Sequence, residues 1–173
     1  KILNVARLDD NKNQQYLINI MPDILKEKPN AKLFIIGKGE KEEELKNLIE
    51  KLKLNNYVYL LGWKTNVSDY MKKSNLFLMS SKYESFANVV VESLGCGTPV
   101  VTSKYDDVVY DIIENNSLGT VVEIENKKKY IKSILYYLDN EIDKNKLNDY
   151  VKNKFSIDNT IIKYMQVIKK AIE

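Results

Sequence analysis

Short apolar runs alternate along this chain with longer stretches whose apolar residues recur every three or four positions. The runs Ile2–Val5, 32–36, 57–60, Leu76–Met79 and 100–102 have the length and composition of buried strands, and 120–122 reads as a weaker sixth. Between them, 13–26 sets Leu17, Ile20, Met21, Ile24 and Leu25 on one helical face, and 43–52 does the same with Leu45, Leu48, Ile49 and Leu52. Val67–Lys72, 88–96 and 108–114 read as shorter helices. Three more close the chain, at 126–138, 143–153 and 158–172, the first with Tyr130, Ile134, Tyr137 and Leu138 as a core-facing stripe. Strands that alternate with helices imply right-handed βαβ units. The expected fold is therefore α/β: an open parallel sheet of about six strands with helices on both faces. No repeat, low-complexity tract or linker divides the sequence, so 1–173 reads as one domain, long enough to bury its own core.

Ligands of open parallel sheets bind at the carboxyl ends of the strands, where the strand order reverses. Each polar cluster of this chain follows a strand. Arg7 to Lys12 follow the first, Gly37-Lys38-Gly39 the second, Gly62-Trp63-Lys64 the third, Glu84 to Asn88 the fourth and Ser103 to Asp107 the fifth. With the order 3-2-1-4-5-6, strands one and four are neighbours, which sets Arg7 and Lys12 beside Glu84.

Composition narrows the chemistry. Hydrophobic residues make up 44% and charged residues 29%, the balance of a soluble globular domain. The net charge of +3, with both signs interspersed, is no footprint for nucleic acid, and Lys127-Lys128-Lys129 reads as a solvated helix face. There is no apolar run long enough to cross a bilayer. The absence of histidine removes His-based triads and most zinc sites, and a single cysteine, Cys96, allows no internal disulfide and suits a reducing compartment. Asp9-Asp10 and Asp106-Asp107 are adjacent pairs typical of turns, so no metal site and no cofactor are expected. The chain begins without Met inside an apparent strand, as a fragment lacking an N-terminal part would.

Three features carry candidate chemistry. Arg7 is the only arginine among 27 basic residues. A guanidinium fork grips phosphate where lysine would not serve, although a structural ion pair is the plainer reading. Glu84 and Glu92 are separated by seven residues in YESFANVVVESLGCGTPVV, and Glu92 is the only charge between Phe86 and Val101. A carboxylate among Val89, Val90, Val91 and Leu94 is costly to bury unpaired. Ionised carboxylates suit sugar hydroxyls, whereas the plainer reading is acids placed for the helix dipole. Finally, the helix opening near Asn88 can offer the amides of Phe86, Ala87 and Asn88 to an anion, or Asn88 can simply cap that helix.

Taken together, the glutamate pair, the tail Gly95-Cys96-Gly97-Thr98-Pro99-Val100-Val101 and the segment Ala6-Arg7 with Lys12 resemble, in order and spacing, the C-terminal donor-binding domain of retaining glycosyltransferases of the GT-B fold, family four. The resemblance runs from Ile2 to about Tyr164. It implies a Rossmann-like sheet forming the C-terminal half of a GT-B enzyme, with the acceptor domain absent from this chain. It implies that Arg7 and Lys12 hold the diphosphate and stabilise it as a leaving group, that Glu84 binds the donor sugar and stabilises charge near its anomeric carbon, and that Glu92 binds the ribose. Phe86, Ala87, Asn88 and Val89 would line the donor site, Gly37 and Gly39 would pass close to the nucleotide, and Trp63 and Lys64 would sit in the loop that contacts the base. Alone, Gly37-Lys38-Gly39 is a tight turn and Trp63 a packing residue.

Three departures stand out: Ala6 where the family has Gly, Ser85 where many relatives have Gly, and Ser103-Lys104-Tyr105-Asp106-Asp107 in place of Gly-Gly-x-Pro-Glu. The implied substrate is a nucleoside-diphosphate sugar, a UDP-sugar first, transferred to an acceptor glycan or glycolipid held by the missing domain. The implied setting is the cytoplasm, with peripheral contact at the inner face of the membrane as a variant. A receiver-type signalling domain lacks here its phosphorylatable Asp after strand three, and an epimerase-like domain lacks its histidines. A non-catalytic nucleotide-sugar-binding module remains the alternative from a different class.

Overall fold

The computed structural model describes residues 1–172. In chain order the elements are β1 (Ile2–Val5), α1 (Gln14–Glu27), β2 (Leu33–Ile36), α2 (Glu42–Lys51), β3 (Val58–Leu60), α3 (Val67–Lys72) and β4 (Leu76–Met79). They continue with α4 (Asn88–Gly95), β5 (Val100–Ser103), α5 (Val109–Ile112), β6 (Gly119–Val122), α6 (Lys127–Asp139), α7 (Lys144–Phe155) and α8 (Ile157–Ile172). All six strands are parallel, in the order β3-β2-β1-β4-β5-β6. The order reverses between β1 and β4, where Leu3 stands opposite Phe77.

Alternation within each strand divides the core in two. On one face Ile2, Leu33, Ile35 and Leu78 meet α1, α2 and α6 through Leu17, Met21, Ile24, Leu45 and Tyr130. On the other, Leu3, Ile36, Phe77 and Val100 meet α3, α4, α5 and α7 through Met71, Val90, Leu94, Ile112 and Leu147. Pro22 lies inside α1 and removes one helical hydrogen bond, a cost of about 3 kcal/mol. The buried Leu17, Ile20, Met21 and Ile24, each contributing about 1.5–3 kcal/mol, outweigh it.

Two buried polar side chains tie β4 to its surroundings, one across the switch point to β1 and one to α6. Asn4 of β1 donates from Nδ2 to the Leu78 carbonyl of β4 (2.9 Å). The Tyr130 hydroxyl of α6 donates to the Met79 carbonyl (2.8 Å) and lies 3.2 Å from that of Val101. On α8, Ile157, Ile161, Tyr164, Ile168 and Ile172 form an exposed apolar stripe. Among the described residues no helix is long and apolar enough to cross a membrane.

Candidate functional site

The loops after β1 and β4 are stitched together above the switch point. The Asn11 side chain donates to the Tyr83 carbonyl (2.9 Å) and accepts from the Tyr83 amide (3.0 Å), and the Lys82 amide donates to the Asn11 carbonyl (2.8 Å). Ser80 donates from Oγ toward the carbonyls of Lys12 and Asn13, both at 2.9 Å. Asn13 takes the left-handed conformation (φ 52°) that turns the chain into α1, and asparagine tolerates that region. Loops far apart in sequence thus become one rigid wall.

On that wall, Lys12 Nζ donates to Glu84 Oε1 at 2.5 Å, and Ser81 Oγ donates to the same oxygen at 2.7 Å. Both charged side chains are largely buried, at 20% and 15% exposure. Among the described residues Glu84 Oε2 receives no hydrogen bond, so it remains an open acceptor. Lys12 likewise keeps two of the three N–H donors of an ammonium. Arg7 is held differently. Its Nε donates to Asp9 Oδ2 (2.5 Å), which aims the guanidinium while its two terminal nitrogens project into solvent. Asp9 also accepts from the Lys12 amide at Oδ1 (2.9 Å). Burial raises the Asp9 carboxyl, but the Lys12 amide and the Arg7 guanidinium outweigh it and hold the pKa below the ordinary value.

Two cavities flank Arg7. One, of about 310 Å³, brings together Arg7, Lys12, Glu84, Phe86, Ala87, Asn88 and Val89. The other, of about 390 Å³, is bounded by Arg7, Gly37, Trp63 and Lys64. Val5, Ala6 and Arg7 line both, so the two form one groove over the end of β1. Trp63 is 69% exposed, which replaces the packing reading of the sequence with a flat ring standing at the groove.

Some expectations need correction. Glu92 is exposed rather than buried among the valines around it, so its carboxylate carries no desolvation cost, and it lines neither cavity. It lies four residues after Asn88, on the same helical face and one turn beyond the groove. Gly39 also lines neither cavity; a Cβ there would come within 2.1 Å of the Leu8 carbonyl oxygen, so its lack of a side chain serves the packing of the loop after β2 against the loop after β1. Asn88 does not cap α4. Ala87 holds the N-cap position without any side-chain bond, and the Asn88 amide turns back to the Phe86 carbonyl at 2.9 Å. The helix amide left without a backbone acceptor among the described residues is that of Val89.

Sequence reasoning missed Tyr105. It is only 9% exposed, and its hydroxyl has no hydrogen-bond partner among the described residues. Burial, then the nearby Glu84 carboxylate, push its pKa up to about 12, offset in part by the Ala87 amide. That amide approaches without completing a hydrogen bond. A bulky aromatic in an otherwise polar loop after β5 was the available signal.

The sequence matches, over residues 1–154, the family described as Glycosyl transferases group 1. This chain belongs to that family. It is 34% identical over 153 residues to a 4-alpha-N-acetylgalactosaminyltransferase of Campylobacter jejuni that acts on an N-acetylgalactosamine-N,N'-diacetylbacillosaminyl-diphospho-undecaprenol, covering 88% of this chain and 40% of the relative. It is 31% identical over 176 residues to the poly(glycerol-phosphate) alpha-glucosyltransferase of Bacillus subtilis, covering 100% of this chain and 26% of the relative. The chain therefore spans less than half of either group 1 relative. A crystal structure of an S. aureus TarM mutant with fondaparinux, alpha-GlcNAc-glycerol and UDP superposes with a TM-score of 0.88 at 23% identity, over 96% of this chain and 35% of that one. The group 1 chain thus carries the six-stranded Rossmann-like architecture of a GT-B glycosyltransferase domain.

Proposed function

We propose that this chain is the donor-binding domain of a retaining glycosyltransferase of family four and takes a nucleoside-diphosphate sugar, with UDP as the nucleotide. The observation that carries the reading is the meeting of Arg7, Lys12 and Glu84 at one cavity across the β1–β4 switch point. Arg7, aimed by Asp9, and the free N–H donors of Lys12 neutralise the diphosphate, and the Val89 amide at the start of α4 adds a further donor. These sources of positive potential make a divalent metal unnecessary. Glu84 Oε2 accepts from the sugar and stabilises positive charge at the anomeric carbon as the diphosphate leaves. Glu92 reaches the ribose from one turn further along α4, and Trp63 and Lys64 border the base. The UDP in the TarM complex supports the choice of nucleotide. The two relatives are named for alpha-linked products, and an alpha product from a donor whose own anomeric bond is alpha is retention.

The acceptor, a glycan or glycolipid, belongs on a part of the full-length protein outside these residues. Calorimetry of the chain with UDP, with and without EDTA, tests the donor reading. Binding of modest affinity that EDTA leaves intact is expected, with no sugar transfer by this chain alone. Binding abolished by EDTA would overturn the metal-free site.

A further inference from the structure

A cavity of about 590 Å³, larger than either cavity beside Arg7, lies on the opposite side of the switch point, along the free edge of the sheet. Its floor is β6, the edge strand, with Thr120 and Val121 at the surface of the groove. β6 is two strands from β4, a sideways offset of roughly 10 Å along the sheet.

One wall is a single face of α6: Lys129, Lys132, Ser133 and Tyr136 follow the spacing of neighbours on a helix surface. The adjoining face of the same helix, Tyr130, Ile134 and Tyr137, is core, and Tyr137 at its edge also borders the groove. Docking of that apolar face fixes the direction of the polar one. Lys127, two residues before Lys129, is paired with Asp23 at 2.7 Å. Lys129 and Lys132 have no ion pair among the described residues. Glu114, the acid at the groove, is already engaged by Lys154. The groove is thus net positive, with two uncommitted ammonium groups.

The aromatic part is braced. The Tyr136 ring is 52% exposed and stands edge-on against Tyr137, with centroids 5.2 Å apart. The Tyr137 hydroxyl donates to the Asn116 carbonyl (2.8 Å) and lies 3.0 Å from Thr120 Oγ1. Tyr110 presents a second exposed ring across the cavity. Asn115 Oδ1 accepts from Ser117, at its amide (2.9 Å) and its hydroxyl (2.5 Å), so the carboxamide is fixed with its NH₂ group free to donate.

We propose that this groove binds a pyranose chain bearing carboxylate or phosphate groups. Flat, half-exposed tyrosines offer the apolar faces of sugar rings a surface and keep a polar tip in water. The asparagine amide can donate to ring hydroxyls, the Ser133 hydroxyl, whose own proton goes to the Lys129 carbonyl (2.9 Å), can accept from them, and the two lysines select an anionic chain. A peptide strand added to the edge of β6 would use backbone groups of a four-residue strand and would need neither the rings nor the lysines.

Calorimetry of this chain with oligogalacturonate, a phosphomannan oligosaccharide, a dextran oligosaccharide and polyglutamate tests the proposal. At least one of the two anionic glycans binds, more weakly as salt rises, and the stronger of them identifies the anion. Dextran and polyglutamate bind roughly tenfold more weakly or not at all. Lys129→Glu with Lys132→Glu lowers anionic-glycan affinity roughly tenfold or more, Tyr136→Ala does likewise, and Tyr136→Phe retains it. All three leave UDP affinity unchanged, because none touches the groove over β1. Equal binding of polyglutamate, or indifference to either the lysine or the Tyr136→Ala change, overturns the site, as does absence of binding by both anionic glycans. Loss of UDP binding with glycan binding intact would count against the donor reading alone.

Discussion

Arg7 reads in the sequence as a phosphate fork or a structural ion pair, and the structure shows the ion pair, with Asp9, on a side chain that is otherwise exposed. Asp9 holds Nε and orients the side chain, which leaves the terminal nitrogens for a ligand. Arg7→Ala is expected to weaken UDP binding by about 1.5–3 kcal/mol, the scale of hydrogen bonds to charged groups, by calorimetry. Asp9→Asn should weaken it less, since the guanidinium remains but loses its aim. Asp9 also predicts a pH dependence. Its folded pKa lies below the unfolded value of 3.8, so its contribution to stability is complete above that value and is lost as pH falls through the depressed folded pKa. Acid unfolding of the Asn variant should therefore show a shallower loss of stability below about pH 4, while thermal melts near neutrality show a lower starting stability. Tyr105 is the opposite case. A buried hydroxyl without a partner costs free energy, so Tyr105→Phe should leave the melting temperature unchanged or raise it, by up to about 1 kcal/mol of stability. If the hydroxyl is held in reserve for the sugar beside Glu84, the same variant binds UDP normally and a UDP-sugar more weakly. An equal affinity for the UDP-sugar would reduce Tyr105 to a packing residue.

At the scale of elements, hydrophobic period was enough to place the strands and helices to within a residue or two at most ends. A strand buried on both faces is a continuous apolar run, and Leu76–Met79 shows why that signal is unambiguous: every one of its residues is buried. What periodicity does not carry is the use of individual polar atoms at element ends. The asparagine at 88 has the composition of a cap, yet its amide closes a tight turn on Phe86, and the next amide is the one left open. Glu92 has apolar neighbours in sequence, but a helix separates neighbours by 100° each, so a lone charge amid valines faces water. The glycines divide on the same ground. Gly37, at φ +149°, would place a Cβ 1.9 Å from the Ala6 carbonyl oxygen. Gly37→Ala must push β2's loop away from β1, and it should cost about 2–3 kcal/mol in denaturant unfolding and widen the groove that Arg7 borders. Full stability in that variant would show that the two loops are less tightly joined than their backbone contacts indicate.

For the whole molecule, the decisive step is topological. The reversal of strand order between β1 and β4 makes neighbours of Lys12 and Glu84, 72 residues apart in sequence. The alternation of elements made the parallel sheet legible but not its order; given the order 3-2-1-4-5-6, which the structure has, the meeting of Arg7, Lys12 and Glu84 follows. The β6-edge groove was not legible, because its parts are ordinary surface residues until α6 packs and its second face becomes a wall. The same topology frames the last prediction, which concerns the full-length protein. Glu84 already spends one oxygen on Lys12 and Ser81, so its remaining oxygen is the one that can respond as charge develops on the sugar. Glu84→Gln keeps the shape but removes the negative charge, and with its carbonyl oxygen held by Lys12 and Ser81 it turns an NH₂ group, which a sugar hydroxyl can accept from, toward the cavity. An interaction that strengthens in the transition state affects turnover more than ground-state binding. The Gln variant is therefore expected to bind a UDP-sugar within a few-fold of the unmodified enzyme and to turn over roughly a hundredfold or more slowly, the scale seen when electrostatic stabilisation is lost. Steady-state kinetics with the donor as the varied substrate separate the two effects, and NMR of the product's anomeric proton gives the stereochemistry. Equal losses in affinity and turnover would make Glu84 a binding residue, and an inverted product would remove it from the reaction as proposed.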